Sequence, residues 1–173
     1  MKCEYCELLE RKEDLLFEDD TLVVALKDSI ITPGQITIFP KQHYTIMELV
    51  PTDVLEKCGR IAKSVSIAVF DALESQGTNV LIRNGLGAGQ NTPHFSIEII
   101  PRRENDGLHL EWKTKQLMED EMDIMFAQLT EELSKPKEEL KPKEKPEKAV
   151  LKESKKGTSE EENYLLKSLR RIP

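Results

Sequence analysis

The sequence predicts an α+β domain over about residues 1–134, followed by a charged linker (135–162) and a short C-terminal helix (163–173). Three observations carry that prediction. Short β-branched runs are separated by turn residues, one long stretch has helical hydrophobic spacing, and the composition changes abruptly after residue 134.

In chain order, an acidic helix is expected around Glu7–Leu16, leading into a strand over Thr21–Leu26. Pro33-Gly34 signals a turn, and Ile36–Phe39 reads as the next strand. Pro51-Thr52-Asp53 opens a long amphipathic helix to about Leu73, with Leu55, Ile61, Val65, Ala68 and Val69 along one face. Asn79–Arg83 reads as a strand, and Asn84–Gln90 as a glycine-rich loop. A strong strand over His94–Ile100 is closed by Pro101, Leu108–Trp112 reads as a last short strand, and Lys113–Ser134 as a last helix. Residues 135–162 hold nine Lys, eight Glu and three Pro, too little apolar surface to offset the entropy of ordering, which predicts a solvated, disordered linker. Leu165, Leu166, Leu169 and Ile172 regain helical spacing and predict a docking helix over Tyr164–Ile172.

A chain of 173 residues suits one domain with an appendage, and its 5% aromatic content predicts an aliphatic core. Residues 1–134 carry 13 Lys/Arg against 24 Asp/Glu, a net charge of −11, whereas residues 135–173 carry 12 against 8. An acidic domain opposes non-specific nucleic-acid binding. No run approaches the roughly 18 apolar residues of a membrane span, and the Met1-Lys2-Cys3-Glu4 start does not read as a signal peptide. Three cysteines are too few for a secreted disulfide framework, so a reducing, cytoplasmic setting is expected.

Three constellations could carry chemistry. Cys3-x-x-Cys6 can supply half of a tetrahedral zinc site, with His43, His94 and His109 as the other soft donors; spacing alone leaves open that they are two uninvolved thiols. The Asn84–Gln90 loop lets backbone approach a ligand, but it is neither a Walker loop nor a dinucleotide fingerprint, and an ordinary hairpin loop has the same composition. On the strand after it, His94, Ser96 and Glu98 are expected on one face while Phe95, Ile97 and Ile99 face the core.

Taken together, the segments CEYC, LKDSIITPGQITIFPKQH and LIRNGLGAGQNTPHFSIEIIPRR resemble those of the histidine-triad (HIT) family, in order, from residue 3 to about 112. The resemblance implies a five-stranded antiparallel sheet with a long helix, a homodimer, and a purine-nucleotide pocket. It implies that Asp28 takes the ribose hydroxyls and that Asn84 and Gln90 meet the sugar-phosphate region. It also implies a structural zinc on Cys3, Cys6, His43 and His94, as in some bacterial members and the related uridylyltransferases.

The triad itself departs from the family pattern. The family's three histidines fall at His94, Ser96 and Glu98, the middle one being the nucleophile, and the family's histidine before the second strand is Gln35. A serine needs an adjacent base, and its phosphodiester would be far more inert than a phosphoimidazole. The expectation is therefore a zinc-bearing nucleotide-binding protein whose nucleotidyl-histidine chemistry is lost or strongly reduced. The alternatives are an active hydrolase or transferase with altered residues, and a non-enzymatic adaptor with a vestigial pocket. Glu98, unless neutralised, would weaken anion binding.

Overall fold

The computed structural model describes residues 3–27, 29–110 and 112–135. Its elements are α1 (Glu4–Arg11), β1 (Leu15–Glu18), β2 (Leu22–Leu26), β3 (Ile36–Pro40), α2 (Thr52–Leu73), β4 (Gly77–Leu81), β5 (Ile97–Arg102) and α3 (Glu119–Ser134). Single 3-10 turns cover Met47–Leu49 and Leu86–Ala88. The strands form one antiparallel five-stranded sheet in the order β1-β2-β3-β5-β4. This is the expected α+β architecture with its long helix. The expected linker and docking helix fall, apart from Lys135, outside the described residues, as does Asp28.

Five strands are present, but they are not the expected five. The first helix ends at Arg11 because Lys12 turns left-handed (φ 54°) and its N–H bonds the Leu8 carbonyl. That frees Leu15–Glu18 to pair with β2, with Leu15 opposite Ala25 and Glu18 opposite Val23. The strand expected over Leu108–Trp112 is absent from residues 108–110 and 112. Side chains satisfy the backbone there instead: Arg102 donates to the Leu108 carbonyl, and Asp106 accepts the Leu108 N–H. Strand β4 begins two residues earlier than expected. Strand β5 starts only at Ile97 and runs through Pro101, which sits opposite Thr78, so proline does not close it. Helix α3 starts at Glu119 rather than Lys113. The Glu121 carboxylate accepts the Met118 N–H, and three acidic residues in the first turn favour the dipole.

Helix α2 packs one face of the sheet. Cys58, Ala62 and Val69 are buried against Leu22, Val24, Ile36, Ile38, Phe95, Ile97 and Ile99, with Leu55, Ile61 and Val65 at the margin. Ala68, expected on that face, is exposed; Cys58 takes its place in the stripe, and burial pushes its thiol up to about 11. Gly34 makes the predicted turn with φ +82°, and a Cβ there would collide with the Leu73 side chain. On the opposite face a smaller cluster joins Tyr5 and Leu8 of α1 to Val23, Ala25 and Phe39. Thr37 and Glu98, paired across β3 and β5, are on this α1 side of the sheet, where the polar groups gather. Helix α3 buries none of its side chains among the described residues.

The β1–β2 turn is fastened by Asp19. One carboxylate oxygen accepts the N–H groups of Thr21 (2.7 Å) and Leu22 (2.9 Å), and the other meets Lys57 of α2 at 2.9 Å. Burial alone would raise its pKa, but these donors outweigh it and hold the carboxyl well below the ordinary range. Asp19→Ala is expected to cost about 1–3 kcal/mol at pH 7 in urea unfolding, the magnitude for charged hydrogen bonds. With the folded pKa depressed, the contribution is present above the unfolded value of about 3.9 and is lost as pH falls below it. The difference between wild type and variant should therefore shrink when measured near pH 3.

Candidate metal centre and adjoining pocket

The start of α1 sets the site. Cys3 immediately precedes the helix and Cys6 lies in its first turn, so one turn brings both thiols to the same side. His43 comes from the segment after β3, and His94 from the segment leading into β5. The ligating atoms of all four lie within 4.8 Å of one another. The separations are 3.4 Å for Cys3 Sγ–His94 Nδ1, 3.4 Å for Cys6 Sγ–His43 Nδ1 and 3.8 Å for Cys6 Sγ–His94 Nδ1. A tetrahedron with ordinary zinc–sulfur and zinc–nitrogen lengths has sulfur–nitrogen edges of about 3.6 Å. Both donor set and spacing fit a tetrahedral metal.

His94 is prepared for that role. Its Nε2–H donates to the Pro40 carbonyl at 2.9 Å, which turns Nδ1 toward the thiols. Burial, with His43 nearby, outweighs the Pro40 contact and lowers its pKa to about 4, so the ring is neutral and its nitrogen lone pair available. The expected one-face alignment of His94, Ser96 and Glu98 changes in one respect. His94 and Ser96 precede the strand, and only Glu98 lies within it.

Beside the cluster lies a cavity of about 250 Å³ lined by Tyr5, Lys27, Gln35, Arg83, Gln90, Ser96 and Glu98, among others. Glu98 is 7% exposed and is neutralised by Arg83, whose Nη1 lies 2.5 Å from Oε2. The Ser96 hydroxyl meets the Tyr5 hydroxyl at 3.2 Å, and the Lys27 ammonium lies 3.5 Å from the same Tyr5 oxygen. Burial works against the Lys27 charge, yet Tyr5 and Glu4 hold its pKa above the ordinary value. Burial likewise raises the Tyr5 phenol.

The amides serve the walls. Gln90 accepts the Gly85 N–H at 2.7 Å and donates to the Thr45 carbonyl at 2.7 Å, closing the glycine loop while lining the cavity. Asn84 accepts the Met47 N–H and donates to Glu48, and it is not among the lining residues. The Gln35 side-chain oxygen Oε1 accepts the Ile31 N–H, bracing the turn after β2. Sequence reasoning missed Tyr5, Lys27 and Arg83. The available signals were that Tyr5 lies inside Cys3-x-x-Cys6, that Lys27 abuts the quoted segment's Asp28, and that Arg83 ends the Leu81-Ile82-Arg83 run. The cavity wall thus carries hydroxyl, ammonium and guanidinium groups together with the Glu98 carboxylate.

Residues 9–105, more than half of the chain, match the HIT domain family model, and the chain belongs to the histidine-triad family. An adenylylsulfatase of Arabidopsis thaliana is 34% identical over 118 residues, 66% of this chain; the chain spans 58% of that relative's length. A crystal structure of a HIT family protein from Bacillus subtilis has the same fold, with a TM-score of 0.70 at 23% identity, covering 79% of this chain and all of that one. A zinc-bound histidine triad family protein from Mycobacterium smegmatis shares the fold with a TM-score of 0.59 at 22% identity, covering 78% and 97%.

Proposed function

We propose that this protein binds a purine mononucleotide in the cavity beside a structural zinc, and that its nucleotidyl-histidine chemistry is lost or strongly reduced. One observation carries the reading: the nucleophile position holds the Ser96 hydroxyl, bonded to Tyr5, while the imidazole of His94 is turned into the Cys/His cluster. Zinc is favoured by the two thiols and two imidazoles at tetrahedral spacing, and by the zinc reported in the mycobacterial relative. With four protein ligands it would act as a clamp between α1 and two chain segments. The adenylylsulfatase relative supports an adenine nucleotide as ligand, and Arg83 offsets the Glu98 charge that would oppose it. The family resemblance assigns the ribose hydroxyls to Asp28, which lies outside the described residues, whereas Asn84 is bonded to Met47 and Glu48 and would support the loop rather than the ligand.

The test is equilibrium binding of AMP to the metal-loaded chain, followed by calorimetry and thermal shift. Weak but saturable binding is the expected result. Undetectable binding of any nucleotide would favour the adaptor reading instead.

A homodimer is part of the proposal. Strand β4 is a sheet edge carrying exposed Val80, and α2, which packs against β4, exposes Ile67 and Phe70. An edge strand beside apolar side chains is a surface that pairing would cover. Light scattering should give twice the chain mass for the wild type, and Phe70→Glu with Val80→Lys should give a monomer. A wild-type monomer at all accessible concentrations would refute this. Among the described residues no helix is long and apolar enough to cross a membrane. Two free thiols in the cluster suit the reducing cytoplasm, the location we propose.

A further inference from the structure

We infer that the metal cluster and the cavity form one thermodynamically coupled unit, in which metal binding delivers Tyr5 as a binding residue and Glu4 as a positioning residue. The inference rests on the nucleotide reading of the cavity.

Glu4 and Tyr5 are the two residues between the thiols of Cys3-x-x-Cys6, so whatever holds Cys3 and Cys6 also places them. Tyr5 is 2% exposed. Its ring stacks on Phe39 with centroids 4.8 Å apart and stands edge-on to His94, itself a proposed ligand, at 5.6 Å. Tyr5 lines the cavity, and its hydroxyl contacts Ser96 and Lys27, which also line it. Glu4 reaches across with both oxygens: Oε1 lies 3.3 Å from Lys27 Nζ, and Oε2 accepts the Thr92 hydroxyl at 2.9 Å. Lys27 and Thr92 both line the cavity. The donors that would face an anion are therefore oriented from the metal-ligand turn, not only from the sheet.

Besides these contacts, the turn rests on one short helix and a small apolar cluster. Helix α1 has eight residues, well below the length at which an isolated helix is stable in water. Its buried apolar attachment is Tyr5 and Leu8 over Val23, Ala25 and Phe39. Without a metal, the four donors no longer tie the first turn to the His43 and His94 segments. Tyr5 and Glu4 are then released, and Lys27 and Thr92 lose partners. Linkage makes the effect reciprocal: if metal strengthens nucleotide binding by some factor, nucleotide strengthens metal binding by the same factor.

The experiment uses the full chain and two probes, Zn2+ and AMP. AMP affinity is measured by calorimetry on protein carrying one zinc per chain and on chelator-stripped protein. Zinc affinity is measured by competition with a chromophoric chelator, with and without saturating AMP. The expected result is AMP binding about tenfold weaker in the stripped protein, and zinc affinity raised about tenfold by AMP. The double variant Glu4→Gln, Tyr5→Phe keeps all four ligands; it should retain one zinc per chain, and AMP should no longer change its zinc affinity. Equal AMP affinity with and without zinc, an unchanged zinc affinity in the wild type, or a double variant that still responds to AMP would overturn the coupling and leave the nucleotide reading standing. No AMP binding by zinc-loaded wild type would overturn both. Should the stripped chain unfold, the competition measurements decide alone.

Discussion

Stripping the metal from the wild type, or removing one ligand with Cys3→Ser, is expected to lower stability by on the order of 3 kcal/mol, about 10 °C in Tm. The proposed zinc joins the first turn of α1 to the segment after β3 and to the segment entering β5, three stretches far apart in sequence. Once it is gone, the buried His94 nitrogen faces two thiols without a metal between them, and α1 is left with its small apolar cluster. Elemental analysis of the purified chain should show close to one zinc, falling in Cys3→Ser, and added zinc should restore the stripped wild type. A metal-free protein of unchanged Tm would sink the proposed clamp.

Adenosine 5'-phosphoramidate should be turned over at background by the wild type, roughly a thousandfold or more below a histidine nucleophile. Imidazole attacks phosphorus without first surrendering a proton of very high pKa, and it departs readily in the second step. Ser96 has neither property, and the carboxylate that might serve it as base, Glu98, is held by Arg83. Ser96→His alone should recover little, because Glu98 and Gln35 leave the new imidazole without the family's companions, and Gln35 is already bonded to the Ile31 N–H. The triple variant Ser96→His, Glu98→His, Gln35→His should recover more. Robust wild-type hydrolysis that vanishes in Ser96→Ala would establish serine chemistry and refute the reading.

The elements legible in the sequence were those whose own pattern decides their structure. Thr52–Leu73 is long and periodic, and Leu22–Leu26 and Ile36–Pro40 are β-branched runs beside turns. Strand β1 was not legible because its residues are mostly exposed and form a strand only by pairing with β2. Leu108 was misread for the converse reason: Arg102 and Asp106 satisfy its backbone, a side-chain effect that hydrophobicity does not report. The four proposed metal ligands were legible by residue type through the family resemblance, and the structure draws them together. Arg83 was not, since its partner Glu98 lies fifteen residues away across the glycine loop. Tyr5 was hidden because its partners in the cavity, Ser96 and Lys27, are remote from it in sequence.

The Arg83–Glu98 pair also constrains how this site can change over evolutionary time. Its two members are unequally exposed, the Glu98 side chain at 9% and that of Arg83 at 33%. Losing Arg83 first would strand a nearly buried carboxylate, the costlier kind of unpaired charge. Losing Glu98 first leaves a guanidinium that still reaches water. A lineage carrying this pair therefore has a preferred order of steps, with Glu98 free to drift first and Arg83 only after it. An imidazole at position 98 is reached by a single residue change, whereas any path that begins at Arg83 crosses a destabilised intermediate.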